Sequence, residues 1–308
     1  MALDIFSFQY SHNNVYRKFC HLLGKNPENV AGTTDIPFLP IRFFKSDTIV
    51  SSTEPASVVF ESSGTTGSIP SRHHILSEEL YKRSILEGFK RIYGDPSEYV
   101  ILALLPSYLK RGNASLVYMV NYLIQCSDRS EGGFYLDDLQ HLSQKMRDLD
   151  KAGLSVLLIG VSYALLDLAE SFPIALKNTL IMETGGMKGR RAEWIREELH
   201  TFLKDKFSVA EIHSEYGMTE LLSQGYATKE GHFMFPPWVQ LSLREIEDPL
   251  SITSSSQTGG VNIIDLANLY SCSFIATDDL GRIHKDGSVD ILGRFDHSDI
   301  RGCNLMVQ

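Results

Sequence analysis

A chain of 308 residues, 43% hydrophobic and 22% charged, holds enough apolar material for one large core or two modest ones, and its composition is that of a folded protein. Its 29 basic and 38 acidic residues give a formal net charge of -9, which offers nothing to draw in nucleic acid or an anionic membrane, so a small anionic substrate needs local basic or backbone donors. The start Met1-Ala2-Leu3-Asp4-Ile5-Phe6 lacks a basic segment followed by a long apolar run, and no later stretch reaches membrane-spanning length. The expected location is the cytoplasm, with no membrane span. Cys20, Cys126, Cys272 and Cys303 are too widely spaced for a disulfide framework or a zinc cluster and are expected as reduced thiols.

Helical spacing predicts a first helix over Asn13 to Leu23, within a helical lead-in covering residues 1–40. Residues 41–260 read as an α/β core. Its predicted elements are a helix over Glu78 to Tyr93, an apolar run over Tyr99 to Leu105, a helix over Ala114 to Cys126, and a strand over Ser155 to Gly160 with a helix following to Glu170. A strand over Asn178 to Met182 and a helix over Arg191 to Phe207 continue the alternation, which predicts layered sheets and helices. After the serine-rich loop Ser251 to Gly260, residues 261–308 read as a small β subregion. There Gly260 to Asp265, Ser271 to Thr277 and Ser288 to Leu292 are predicted strands, punctuated by Asp-Gly and Leu-Gly turns. Cys20 lies beside the stripe Val15, Phe19 and Leu23, and Cys272 shares a strand face with Phe274 and Ala276, so core packing is expected of both.

The β-branched pair Val58-Val59 leads into Phe60-Glu61-Ser62-Ser63-Gly64-Thr65-Thr66-Gly67-Ser68. Such a run suits phosphate, since glycines let backbone N–H groups turn toward an anion and hydroxyls add donors. Without the Gly-Lys-Ser/Thr ending it is not a Walker loop, and taken alone it reads first as a flexible surface turn. No Gly-x-Ser-x-Gly elbow occurs, which disfavours a serine hydrolase. His73-His74, with no further His or Cys at ligand spacing, is expected to be exposed or to satisfy a loop rather than to bind metal.

Five segments in this order resemble the adenylate-forming superfamily: the run from Ser62 to Gly67, Glu183-Thr184-Gly185-Gly186-Met187, Tyr216-Gly217-Met218-Thr219-Glu220, Thr277-Asp278-Asp279, and Gly293-Arg294-Phe295-Asp296. With Asp299-Ile300-Arg301-Gly302-Cys303 near the end, the chain from Phe60 onward is most similar to the LuxE-like acyl-protein synthetases. The resemblance implies a fold like the large N-terminal domain of those enzymes, and ATP and Mg2+ as cofactors. It implies phosphate contacts from Ser62, Ser63, Gly64, Thr65, Thr66 and Gly67, and adenine contacts from Gly185, Gly186, Tyr216 and Gly217. Thr219 is implied at the α-phosphate, Glu220 at Mg2+, Asp279 and Arg294 at the ribose, and Cys303 as acyl acceptor, its thiolate favoured by Arg301. Leu104-Leu105-Pro106-Ser107-Tyr108 resembles the segment beside the acid, placing Tyr108, together with Met187, in an acyl pocket. Arg72 stands one position later than the lysine usual after the phosphate loop. Gln308 follows closely on the hinge-like segment, so the C-terminal lid domain with the superfamily's catalytic lysine is expected to be missing. The implied activity is ATP-dependent activation of a carboxylic acid, a fatty acid, as acyl-adenylate, with transfer to a protein thiol. An acyl-acceptor protein or a reductase is the implied partner. Two other readings stay open: an ATP-independent acyltransferase working through Cys303, and a nucleotide-binding subunit without catalysis.

Overall fold

The structure, a computed structural model, describes residues 1–62, 69–105, 113–136, 138–185, 194–253 and 258–294. Its helices are α1 (Ala2–His12), α2 (Asn14–Leu22), α3 (Phe43–Ser46), α4 (Glu78–Tyr93), α5 (Ser115–Ser127), α6 (Leu139–Lys151), α7 (Ser162–Ser171) and α8 (Arg196–Phe207). Its strands are β1 (Leu39–Pro40), β2 (Val58–Glu61), β3 (Arg72–Ile75), β4 (Val100–Leu104), β5 (Gly133–Tyr135), β6 (Val156–Val161), β7 (Thr179–Thr184), β8 (Ile212–Tyr216), β9 (Gly225–Ala227), β10 (His232–Phe233), β11 (Val239–Arg244), β12 (Gly259–Asp265), β13 (Phe274–Ile283) and β14 (Val289–Arg294). The chain forms two compact units. One gathers Met1–Tyr81, Thr219–Ser223 and Met234–Gln308, and the other Lys82–Met218 and Gln224–Phe233.

The second unit carries a sheet in the order β5-β4-β6-β7-β8-β9, parallel throughout except for β9, which runs antiparallel to β8. Every residue of β4 and β6 is buried, and such unbroken apolar runs are what parallel strands covered on both faces require. The strand order reverses between β4 and β6, and the carboxyl ends of those two strands therefore form the switch point where α/β sheets admit ligands. The predicted helices and strands of this unit fall within a few residues of α4, α5, α7, α8, β4, β6 and β7. Helix α6 was not foreseen. It buries Leu142, Met146 and Leu149 along one face, and Asp138 caps it by accepting a hydrogen bond from the His141 N–H at 2.9 Å.

In the first unit β11, β12, β13 and β14 form an antiparallel meander, and β1 adds to β13 in parallel. Helices α1 and α2 close over it through Phe6, Tyr16 and Phe274. Tyr16 stacks on Phe274 with ring centroids 5.9 Å apart, and Phe6 meets Tyr16 edge-on at 6.1 Å. Cys20 and Cys272 lie in this core as expected, and burial pushes each thiol up to about 12. Helix α1 escapes a pattern search because one of its two buried residues is polar: Gln9 reaches the β12–β13 connection, its Nε2 donating to the Asn268 and Leu269 carbonyls at 3.0 and 2.8 Å. The Ser273 N–H donates back to Gln9 Oε1 at 3.0 Å, and Asn13 Nδ2 donates to the Ser271 carbonyl at 3.1 Å.

Two expected turns are not turns. Leu280-Gly281 lies inside β13 and Leu292-Gly293 inside β14. Gly281 serves close approach instead, because a Cβ there would stand 2.7 Å from Val261 Cγ2 and 3.0 Å from the Asp290 carbonyl oxygen. Leu280 pairs with Gly293 and Gly281 with Ile291, so Leu292 is the extra residue of a β-bulge. The Asp286-Gly287 turn stands as predicted, with Gly287 at φ +87.

Candidate active site

In the first unit the β2–β3 hairpin sets both ends of the glycine-rich run. The Ser62 N–H donates to the Ser71 carbonyl at 3.0 Å, and the Ser71 N–H donates to Ser62 Oγ at 2.8 Å. Ser63, Gly64, Thr65, Thr66 and Gly67 lie outside the described residues. Arg72 is exposed on the hairpin, its Nε 3.1 Å from Glu61 Oε1 on the opposite strand.

The next residue corrects the sequence expectation: His73 is neither exposed nor in a loop but fully buried on β3. Its Nδ1 lies 2.8 Å from the Thr219 carbonyl oxygen and its Nε2 3.0 Å from Asn268 Oδ1. Asn268 Nδ2 in turn donates to the Glu220 carbonyl at 2.8 Å. One step further on, Asp265 accepts from the N–H groups of Leu222 and Ser223 at 2.9 and 3.0 Å and from the Ser223 hydroxyl at 2.7 Å. The segment Thr219–Ser223 is thus held by its main chain. Four of its backbone groups, the Thr219 and Glu220 carbonyls and the Leu222 and Ser223 N–H groups, are satisfied by side chains from β3, from the end of β12 and from the loop beyond. Glu220 is itself buried. Burial pushes its carboxyl above the usual range, against the pull of the Ser71 hydroxyl, Arg294 and Lys45.

Asp279 and Arg294 are cross-strand partners on β13 and β14, with Arg294 Nε 3.5 Å from Asp279 Oδ1. Asp279 is buried and Arg294 reaches into solvent, so the pair presents one buried carboxylate and one exposed cation.

In the second unit the carboxyl ends of β6, β7 and β8 gather a buried polar cluster. Ser162, at the start of α7, donates from Oγ to Glu183 Oε2 at 3.0 Å, while Arg196 Nε and His200 Nε2 each stand 3.7 Å from Glu183 Oε1. Burial raises the Glu183 carboxyl, yet His200, Arg196 and Ser214 outweigh it and hold the group below its ordinary value. Glu215 has no cation among these neighbours. Burial raises it to about 7, the Thr184 hydroxyl donating to its Oε2 at 2.5 Å and Glu183 adding like-charge repulsion. Gly185 leaves β7 at φ +72, a left-handed conformation natural to glycine. Gly217 is needed for a different reason, since a Cβ there would stand 2.6 Å from Glu215 Oε1. Tyr216 packs against Phe233 with ring centroids 5.8 Å apart.

Of the residues singled out from sequence, Thr219, Glu220, Asp279, Arg294 and Ser62 fall in the first unit, and Gly185, Tyr216 and Gly217 in the second. Gly186, Met187, Tyr108 and Cys303 lie outside the described residues. Sequence reasoning missed Asp265 and Asn268 and misplaced His73. All three act across long sequence separations, and only the clustering of Asp, Asn and Ser just after an apolar strand hinted at a structured turn.

The fold has known counterparts. The chain superposes on 2-hydroxyisobutyryl-CoA ligase in complex with 2-HIB-AMP and CoA at a TM-score of 0.72, with 12% identity over 96% of this chain and 73% of that one. ATP-bound MatB from Rhodopseudomonas palustris superposes at 0.58 with 18% identity, covering 77% of this chain, which spans only 47% of the MatB chain. The fold is therefore that of the adenylate-forming ligases. The family model of the acyl-protein synthetases, LuxE, matches residues 1–308, and the chain belongs to that family, whose members are AMP-forming ligases that activate a carboxylic acid and pass the acyl group to a protein. A long-chain-fatty-acid luciferin-component ligase of Vibrio harveyi is 24% identical, over 97% of this chain and 84% of that one. Among the described residues no helix is long and apolar enough to cross a membrane.

Proposed function

We propose that this chain converts a fatty acid and ATP into an acyl-adenylate with release of pyrophosphate, and then transfers the acyl group to a cysteine thiol. The observation that carries the reading is the anchoring of Thr219–Ser223 by His73, Asp265 and Asn268 in the same unit as the Asp279–Arg294 pair. Reaction at the α-phosphorus needs the carboxylate nucleophile and the pyrophosphate leaving group held in line, and rate comes from positioning and from donors placed where charge develops. A segment fixed by its backbone suits that task because its side chains do not move when charge shifts.

Thr219 is assigned to the α-phosphate oxygens, and Asp279, as an acceptor, to the ribose hydroxyls together with Arg294. The run Ser62 to Gly67 is assigned to the β- and γ-phosphates. Gly185, Gly186, Tyr216 and Gly217 are assigned to adenine, a glycine backbone allowing close approach and a tyrosine ring offering a stacking face. A buried carboxyl with oxygen donors only, like Glu220, fits a hard cation, and Mg2+ held there would neutralise charge on the phosphates. Tyr108 and Met187 are assigned to the acid, and Cys303 to the thiol that takes the acyl group while AMP leaves. The fatty nature of the acid rests on the Vibrio harveyi relative, and an acceptor protein or reductase is proposed as partner on the family's chemistry.

The test is acid-dependent ATP–pyrophosphate exchange by the purified protein over a panel of fatty and aromatic acids, with Glu220→Gln alongside. Exchange that requires a fatty acid and vanishes in the variant supports the reading. ATP binding without exchange for any acid moves it to the binding-subunit alternative, and cysteine acylation from a preformed thioester without ATP moves it to the acyltransferase alternative.

A further inference from the structure

Asp279 sits at an irregularity in the sheet. Gly260 pairs with Leu280 and Asn262 with Ala276, so the single residue Val261 on β12 is opposed by three on β13: Thr277, Asp278 and Asp279. A bulge of this size takes backbone groups out of the ladder, and those groups need other partners if they are buried. They find them in one side chain. Arg244, at the end of β11 and itself buried, donates from Nη1 to the Val261 carbonyl at 2.9 Å and to Asn262 Oδ1 at 3.0 Å, and from Nη2 to the Thr277 carbonyl at 2.5 Å. Thr277 Oγ1 donates to the same Val261 carbonyl at 2.9 Å and accepts from the Asp279 N–H at 3.2 Å. The route from guanidinium to the Asp279 backbone is thus a continuous set of hydrogen bonds across three strands.

The sequence makes room for this. Arg244 is the register partner of Gly260, and a Cβ on Gly260 would stand 2.7 Å from Arg244 Cζ and 3.0 Å from both Nε and Nη1. Asp278 and Asp279 oppose in part the burial of the guanidinium, which still lowers its pKa from the ordinary value. A planar fork with several fixed donors can serve two carbonyls and an amide at once, whereas a lysine ammonium at that depth reaches them only one at a time.

We infer that Arg244 is a positioning residue for nucleotide binding: it clamps the three-residue bulge that holds the Asp279 carboxylate in place. The inference rests on the assignment of Asp279 to the ribose. Arg244 acts through the bulge and touches no substrate.

MgATP affinity is measured by calorimetric titration for the unaltered protein, Arg244→Lys, Asp279→Asn and the double variant, with the thermal unfolding midpoint of each. Arg244→Lys is expected to weaken ATP binding about tenfold. In the double variant it should add nothing to the loss caused by Asp279→Asn, because both changes disable one contact. Thr277→Val removes the relaying hydroxyl with little change of shape and is expected to give a smaller loss with the same non-additivity, which keeps the test decisive if Arg244→Lys does not fold. Wild-type affinity in the folded Arg244→Lys or Thr277→Val protein, or losses that multiply on top of Asp279→Asn, overturn the inference. ATP binding that follows the expected pattern in a protein showing no acid-dependent pyrophosphate exchange would count against the proposed ligase activity and leave the role of Arg244 standing.

Discussion

The imidazole of His73 stands 2.8 Å from the Thr219 carbonyl oxygen and joins strand β3 to a segment 146 residues away in sequence. Replacing His73 by alanine removes the donor, opens a cavity and strands a buried carbonyl, which together should cost about 2–4 kcal/mol in a urea titration. A variant as stable as the parent would show that the contact is not made in solution.

The same histidine gives a pH dependence. Burial lowers its pKa from 6.5 to about 4, against the opposing hydrogen bonds to Thr219 and Asn268. A group whose folded pKa is depressed binds protons more readily when unfolded, so its contribution to stability is whole above about 6.5 and is lost as the pH falls toward about 4. Urea midpoints measured across that range should fall on the acid side, and His73→Gln should flatten the slope.

Glu215 titrates with the opposite sign. Its carboxyl is raised from 4.5 to about 7 by burial, and it faces Thr184 and Glu183 on β7 and the Tyr93 hydroxyl of α4. A raised folded pKa means that the folded state holds the proton more tightly, so this contribution is whole below about 4.5 and is lost as the pH rises toward 7. A shift of that width corresponds to roughly 3 kcal/mol. Glu215→Gln, which keeps the shape and removes the titration, should therefore unfold later than the parent at pH 8 and at nearly the same point at pH 4. Equal midpoints at both pH values would refute the assignment.

Gly217→Ala puts a methyl group where the Glu215 carboxylate lies, 2.6 Å away, and that carboxylate is pinned by Thr184. The expected cost is about 1–3 kcal/mol. Shortening the obstacle should relieve it, so the Gly217→Ala, Glu215→Ala pair is expected to lose less than the sum of its single changes. Additive losses would mean that the glycine is required for its backbone alone.

The second unit was largely legible in sequence because its strands are unbroken apolar runs and its helices carry clear stripes, as in β4, β6, α4 and α5. The ordered motifs also disclosed the family. What holds the motif residues was hidden for a physical reason. His73, Asn268, Asp265 and Arg244 act through hydrogen bonds to main-chain groups far away in sequence, and no local periodicity records such a contact. The bulges that break the register along β13 were hidden too, since Leu-Gly reads as a turn until the strand pairing shows Leu280, Gly281 and Gly293 in the ladder and Leu292 as the bulged residue. Helix α1 buries Gln9 where a stripe would carry an aliphatic residue, so the pattern that announces α2 is absent one turn earlier.

The bonds from Gln9 and Asn13 to the connection 268–273 span 258 to 264 residues. On a ribosome, Lys82–Met218 of the second unit emerges as one continuous stretch and can collapse while synthesis continues, whereas the acceptors for α1 are made only after that stretch is complete. Helices α1 and α2 therefore wait for their place until that long stretch of the second unit has been made. Until the β12–β13 connection and the start of β13 arrive, Phe6 and Tyr16 have no Phe274 to pack against, and that apolar face stays open to other partners.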